Sequence, residues 1–152
     1  MKKTIETINN CSPLPHRMEL VGKYDDVIFY NDSIATIPEA TINTIEALKK
    51  VNTLILGGMD RGVNLESLIE YLNKSNIENL ICMPKTGYYI GKNINNKNIN
   101  VIYVENMKEA VENAKKVTKK DTICVLSPAA ASYGFYKNFK EKGEEYKRLV
   151  KN

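Results

Sequence analysis

The chain has no tryptophan, a single histidine and only three cysteines. With His16 as its one imidazole, it lacks the ligand sets that tetrahedral zinc centres use, and no metal site is expected. Cys11, Cys82 and Cys124 are odd in number and show no CxxC spacing. Two of them fall in apolar runs, which reads as buried free thiols in a reducing compartment rather than a disulfide framework. No apolar run reaches the length of a membrane span or a signal-peptide core, so a soluble, cytoplasmic protein is expected. Charge of one sign is also scarce. The 22 basic residues against 18 acidic ones leave +4, and the lysines are scattered rather than striped. That disfavours nucleic acid and suits a small anionic ligand. Nothing marks an obligate interface, and a monomer is expected.

What the chain does have is regular alternation. At 152 residues it fits one domain with a sizeable core. Residues 1–12 are polar and read as a lead-in or the end of a linker, with the domain over 13–152. MELVGKYDDVIFYND predicts two short strands across a turn at Tyr24-Asp25-Asp26. A helix follows over 37–50, with Pro38 in its first turn, Glu39 at the positive dipole end, and Ile42, Ile45 and Leu48 as a stripe. Strands are expected at 53–56, 78–83, 100–104 and 122–126. Helices are expected at 65–73, 87–92 and 106–116, and one or more over 133–150. Strand alternating with helix implies parallel pairing through helical crossovers. Continuous apolar runs such as LIL and ICVL fit strands covered on both faces. The fold class is therefore α/β, a Rossmann-like doubly wound and mostly parallel sheet with an N-terminal β-hairpin.

In such sheets ligands bind beyond the C-terminal strand ends, which selects Asn31–Thr36, Gly57–Gly62 and Ser127–Tyr133. GGMDRG, Gly57 to Gly62, carries the glycine spacing of a triphosphate loop, but Val63-Asn64 stands where Lys-Ser/Thr is required. It is not GxGxxG either. A glycine turn explains Gly57 and Gly58, whereas Arg61 at the rim fits an anion contact. In YNDSIAT, polar residues between a strand and a helix fit capping and turning, or a carboxylate accepting ribose hydroxyls. In LPHRMEL, Arg17 fits a phosphate or carboxylate anchor, or a surface pair with Glu19. LSPAAASYGFYKNFKEKGEEY sets small residues before aromatics and lysines, either for tight helix–sheet packing or for close approach of a ligand.

Taken in order, LPHRMEL, YNDSIATIPEAT, ILGGMDRG and LSPAAASYGFYKNFKEKGEEYKRLV resemble the successive motifs of the C-terminal domain of the Mur ligases, closest to the D-glutamate-adding branch. The resemblance runs from about Pro13 to Val150. It implies an ATP-dependent amide-bond ligase of peptidoglycan synthesis that works through an acyl phosphate. Its substrates would be D-glutamate, ATP and UDP-N-acetylmuramoyl-L-alanine. It also implies that the UDP-sugar domain and the domain holding ATP and magnesium lie outside this chain, which is then expected to be an inactive fragment on its own. By the same resemblance Arg17 and Asp32 touch the nucleotide, and Thr36, Arg61, Ser132, Tyr133 and Phe139 surround D-glutamate. Three positions depart from the pattern. Ile34 and Arg61 stand where lysines are usual, and Ile37 stands where asparagine would cap the helix.

Overall fold

A computed structural model describes residues 15–132 and 136–152. The chain opens with β1 (Glu19–Tyr24) and β2 (Val27–Asn31), paired antiparallel. Their connection is Asp25-Asp26, both at positive φ (53° and 66°). Aspartate tolerates that region, and a two-residue turn of this hand matches the strand twist.

The remaining elements alternate. They are α1 (Pro38–Leu48), β3 (Val51–Leu56), α2 (Glu66–Asn73), β4 (Asn79–Cys82), α3 (Thr86–Lys92), β5 (Asn100–Tyr103), α4 (Met107–Val117), β6 (Ile123–Leu126) and α5 (Phe139–Lys151). The sheet order is β1-β2-β6-β3-β4-β5, and every pair except β1–β2 is parallel. Chain order runs β3 to β5 outward, then returns to place β6 between β2 and β3. The mid-sheet switch point, where such folds hold ligands, therefore lies beyond the C-terminal ends of β3 and β6.

Side-chain alternation along each strand divides the core. Leu54 and Leu56 of β3 join Ile45, Leu68, Leu72 and Ile90 on the face of α1–α3. Ile55 joins Phe29, Met107, Val111, Tyr146 and Val150 on the face of α4 and α5. Each fully buried aliphatic side chain of this kind stabilises by about 1.5–3 kcal/mol relative to exposure.

Several boundaries differ from the sequence expectation. Strand β3 begins at Val51, because Val51 is already buried and paired with Ile123 of β6, with Asn52 buried at the irregularity that follows. Among the described residues the last helix begins at Phe139 rather than 133. Asn138 fixes that start, accepting from the N–H of Glu141 at 3.0 Å while Glu141 accepts from the N–H of Lys137 at 2.8 Å. Asn106 and Glu109 form the same reciprocal cap on α4. Helix α1 has no such bond at Ile37 and starts on Pro38 instead. Cys82 and Cys124 are buried and free, with burial pushing both thiols up to about 12. Cys11 lies outside the described residues.

Candidate functional site

Three loops meet at the C-terminal strand ends, and their backbones explain the small residues. Gly57 has φ 121°, and a Cβ there would sit 2.3 Å from the Met83 carbonyl oxygen, so only glycine fits. A Cβ on Gly58 would come 2.6 Å from the Ala131 carbonyl and 3.1 Å from the Ala130 methyl. The β3 and β6 loops thus pack backbone against backbone. The N–H of Gly57 donates to Pro128 and that of Met59 to Ala131, at 3.0 and 2.9 Å. Ala129 turns through φ 57°, its N–H donating to Ala35 at 2.9 Å.

Beside this seam lies a cavity of about 300 Å³, lined by Thr36, Ile37, Met59, Asp60, Arg61, Val63, Thr86 and Ala129–Ala131. Thr36 and Arg61, far apart in sequence, share it. Arg61 is exposed at the rim. The Asp60 carboxylate accepts from the N–H of Gly62 at 2.9 Å, and among the described residues Arg61 forms no ion pair with Asp60 or Glu66. Ser132 lies one residue past the alanine wall. It is 4% exposed, and its hydroxyl has no hydrogen-bond partner among the described residues. A buried hydroxyl left so is unusual and marks either a cost or a place for a ligand. Phe139, at the start of α5, packs edge-on to His16 with ring centroids 6.0 Å apart. Tyr133 falls outside the described residues.

The other two expected contacts are placed differently from each other. Arg17 is exposed, whereas Asp32 is buried at 2% exposure. One Asp32 oxygen accepts from the N–H of Met18 at 3.0 Å, and the other from Thr44 at 2.5 Å and Ser127 at 2.7 Å. Burial raises its pKa, opposed by the hydrogen bonds from Thr44, Ser127 and Met18 and by the charge of Arg17. Asp32 therefore ties together the ends of β2 and β6, helix α1 and the segment that presents Arg17.

Two residues that the sequence did not single out for this site stand close to it. His16 is buried, its Nδ1 accepting from the Asn31 amide at 2.8 Å, and its Nε2 lies 3.4 Å from Glu144. It joins the Arg17 segment to α5. Lys142 is 2% exposed and donates to the Gly57 carbonyl at 2.8 Å. Its signal was the spacing Lys142, Tyr146, Val150, which sets a lysine on the buried stripe of α5. Among the described residues no three His, Cys, Asp or Glu side chains cluster as a metal set, and no helix is long and apolar enough to cross a membrane.

Residues 16–129 match the family model described as Mur ligase, glutamate ligase domain. The UDP-N-acetylmuramoylalanine–D-glutamate ligase of Clostridioides difficile (strain 630) is 38% identical over 138 residues, covering 90% of this chain and 30% of the relative. That of Clostridium beijerinckii is 37% identical over 158 residues, covering all of this chain and 34% of the relative. The chain thus spans about a third of the length of the curated relatives it matches. Among solved structures, MurF ligase from Thermotoga maritima in complex with ADP superposes with a TM-score of 0.62 at 18% identity, over 92% of this chain and 32% of that one. A bifunctional folylpolyglutamate synthase/dihydrofolate synthase from Yersinia pestis gives 0.63 at 12% identity, over 91% and 32%. Those likenesses carry the fold, while the family model and the relatives carry the kinship: the chain belongs to the Mur ligase family, as its glutamate ligase domain.

Proposed function

We propose that this chain is the amino-acid-binding domain of an ATP-dependent ligase that adds D-glutamate to UDP-N-acetylmuramoyl-L-alanine. The observation that carries the reading is the identity to D-glutamate ligases along nearly the whole chain. The chemistry runs in two steps. The substrate carboxylate takes the γ-phosphoryl group of ATP, and ADP leaves. The D-glutamate amine then adds to the acyl carbon, and the tetrahedral intermediate expels phosphate as the nitrogen loses its proton.

This chain's part is to seat the amino acid and to touch the nucleotide. Thr36 and the planar fork of Arg61 take one carboxylate at the rim of their shared cavity. The unpartnered Ser132 hydroxyl, with the N-terminal end of α5 at Phe139, takes the other. Tyr133, outside the described residues, is assigned to D-glutamate as well. Arg17 meets the nucleotide phosphates, and Asp32 meets its ribose through the oxygen that accepts only from Met18. ATP and magnesium are assigned mainly to a domain outside this chain, whose described residues hold no cluster of three His, Cys, Asp or Glu side chains.

The test is steady-state kinetics of the full-length ligase carrying Arg61→Ala or Arg61→Lys, with ATP and the UDP-sugar saturating. Loss of a charge-assisted bidentate contact should raise the D-glutamate KM about 100-fold in Arg61→Ala. Arg61→Lys should recover much of the loss. An unchanged KM in Arg61→Ala removes Arg61 from the site.

A further inference from the structure

The proposed site leaves one buried cation unused. Lys142 lies on the inner stripe of α5 at 2% exposure, and its Nζ donates to the Gly57 carbonyl at 2.8 Å. Among the described residues no carboxylate comes within ion-pair distance of it. An ammonium buried without a counter-charge is destabilising, and an apolar side chain of similar length would serve the fold better. Its position suggests why a lysine stands there. A Cβ on Gly58 would lie 3.2 Å from Nζ and 2.6 Å from the Ala131 carbonyl, so the cation sits directly behind the seam that walls the Thr36–Arg61 cavity.

On its other side Lys142 borders a second cavity, of about 260 Å³. The charged and titratable groups facing it there are accounted for by other partners or stand at the mouth. Tyr136 presents its ring 6.0 Å from Nζ and hydroxyl-bonds Glu145, which also pairs with Arg148. Glu105, from the turn before α4, is exposed. Arg61 stands beyond the seam.

Resting on the amino-acid site assigned above, we propose that Lys142 is a positioning and specificity residue: its buried charge fixes the Gly57–Gly58 turn and supplies the positive potential that favours an amino acid with two carboxylates over one with a single carboxylate. The charge acts through a thin wall of backbone and alanine, where little water screens it. It is also titratable, because burial lowers the ammonium pKa to about 8. Above that value the neutral amine still donates to Gly57, but the potential is lost. Binding of a dicarboxylic amino acid should therefore weaken on the alkaline side.

The experiment measures the D-glutamate KM of the full-length ligase from one unit below to one unit above pH 8, for the wild type, Lys142→Arg and Lys142→Met, with the other substrates saturating. The wild-type KM is expected to rise about tenfold across the range as the ammonium loses its charge. Lys142→Arg, whose guanidinium stays charged, keeps the low KM throughout. Lys142→Met has a high KM at every pH, with kcat changed less than KM. A wild-type rise that persists unchanged in Lys142→Arg, or a Lys142→Met KM equal to wild type below pH 8, overturns the proposal. The arginine profile decides the matter even if the methionine variant fails to fold. Wild-type enzyme without D-glutamate-dependent turnover removes the underlying site assignment as well, whereas normal turnover with unmoved variants removes Lys142 alone.

Discussion

The two ends of one sheet are built on opposite terms. At the N-terminal strand ends, Asn79 of β4 spreads its amide N–H groups over Asn52, Thr53 and the Val117 carbonyl, at 3.1–3.2 Å, and accepts from Asn100. Thr118 donates to Thr53 at 2.7 Å, and the Lys119 N–H donates to Asn52 at 3.0 Å. Here the buried side chains close on one another. At the C-terminal ends, among the described residues, Ser132 has a buried hydroxyl without a partner and Lys142 has one carbonyl for a whole ammonium. A satisfied polar network stabilises a fold, whereas groups left open cost stability unless something else completes them. The contrast separates polar residues that close on one another from those whose buried polar atoms the described fold leaves open.

The largest expected effect breaks the closed end. Asn79→Ala should lower unfolding stability by about 3 kcal/mol, since it strands several buried donors and acceptors at once. Urea denaturation of the chain measures it, and D-glutamate kinetics of the full-length ligase at a temperature where the fold holds should stay near wild type.

A smaller effect shows that the open end is loose only where ligand is expected. Gly143 lies where α5 crosses the His16 segment, and a Cβ there would sit 2.3 Å from His16 Nδ1 and 2.4 Å from the Ser33 hydroxyl. Gly143→Ala should cost about 2 kcal/mol by overpacking, read from the same denaturation curves.

The smallest is a pH effect at that joint. Burial lowers the His16 pKa, with Lys147 adding to the shift and Glu19 and Glu144 opposing it. The contribution of neutral His16 is thus fully present above its ordinary pKa and lost as pH falls through the lower folded value. The loss should be the smallest of the three effects. As the chain has one histidine, its imidazole NMR titration is unambiguous. A folded pKa above the ordinary histidine value would contradict the arrangement.

How far the sequence revealed these features follows from what each depends on. The cores of strands β3 and β6 are legible because LIL and ICVL are continuous apolar runs, buried on both faces, and α1 because Pro38 opens a clear stripe. The insertion of β6 between β2 and β3 was not legible, since strand partners distant in the chain leave no local signal. The start of α5 is not legible, because Asn138 and Glu141 form their reciprocal cap inside a polar, aromatic run without a clear stripe. For the site, the strand-end rule selects the loops of Thr36 and Arg61, which line one cavity. It gave no hint that Asp32 is buried under three donors, because an aspartate in a turn ordinarily faces water. Lysine likewise ordinarily faces water, which obscures the place of Lys142 on the buried stripe of α5.

The contrast between the two ends rests most directly on Ser132. The decisive measurement pairs the D-glutamate KM of full-length Ser132→Ala with the denaturation midpoint of the same variant. Removing a hydroxyl that has no partner within the described fold should leave the midpoint unchanged or slightly raised. The KM should rise about tenfold, as befits one hydrogen bond to a carboxylate. An unchanged KM, or a midpoint lowered as far as in Asn79→Ala, would show that Ser132 belongs to the fold and not to the ligand.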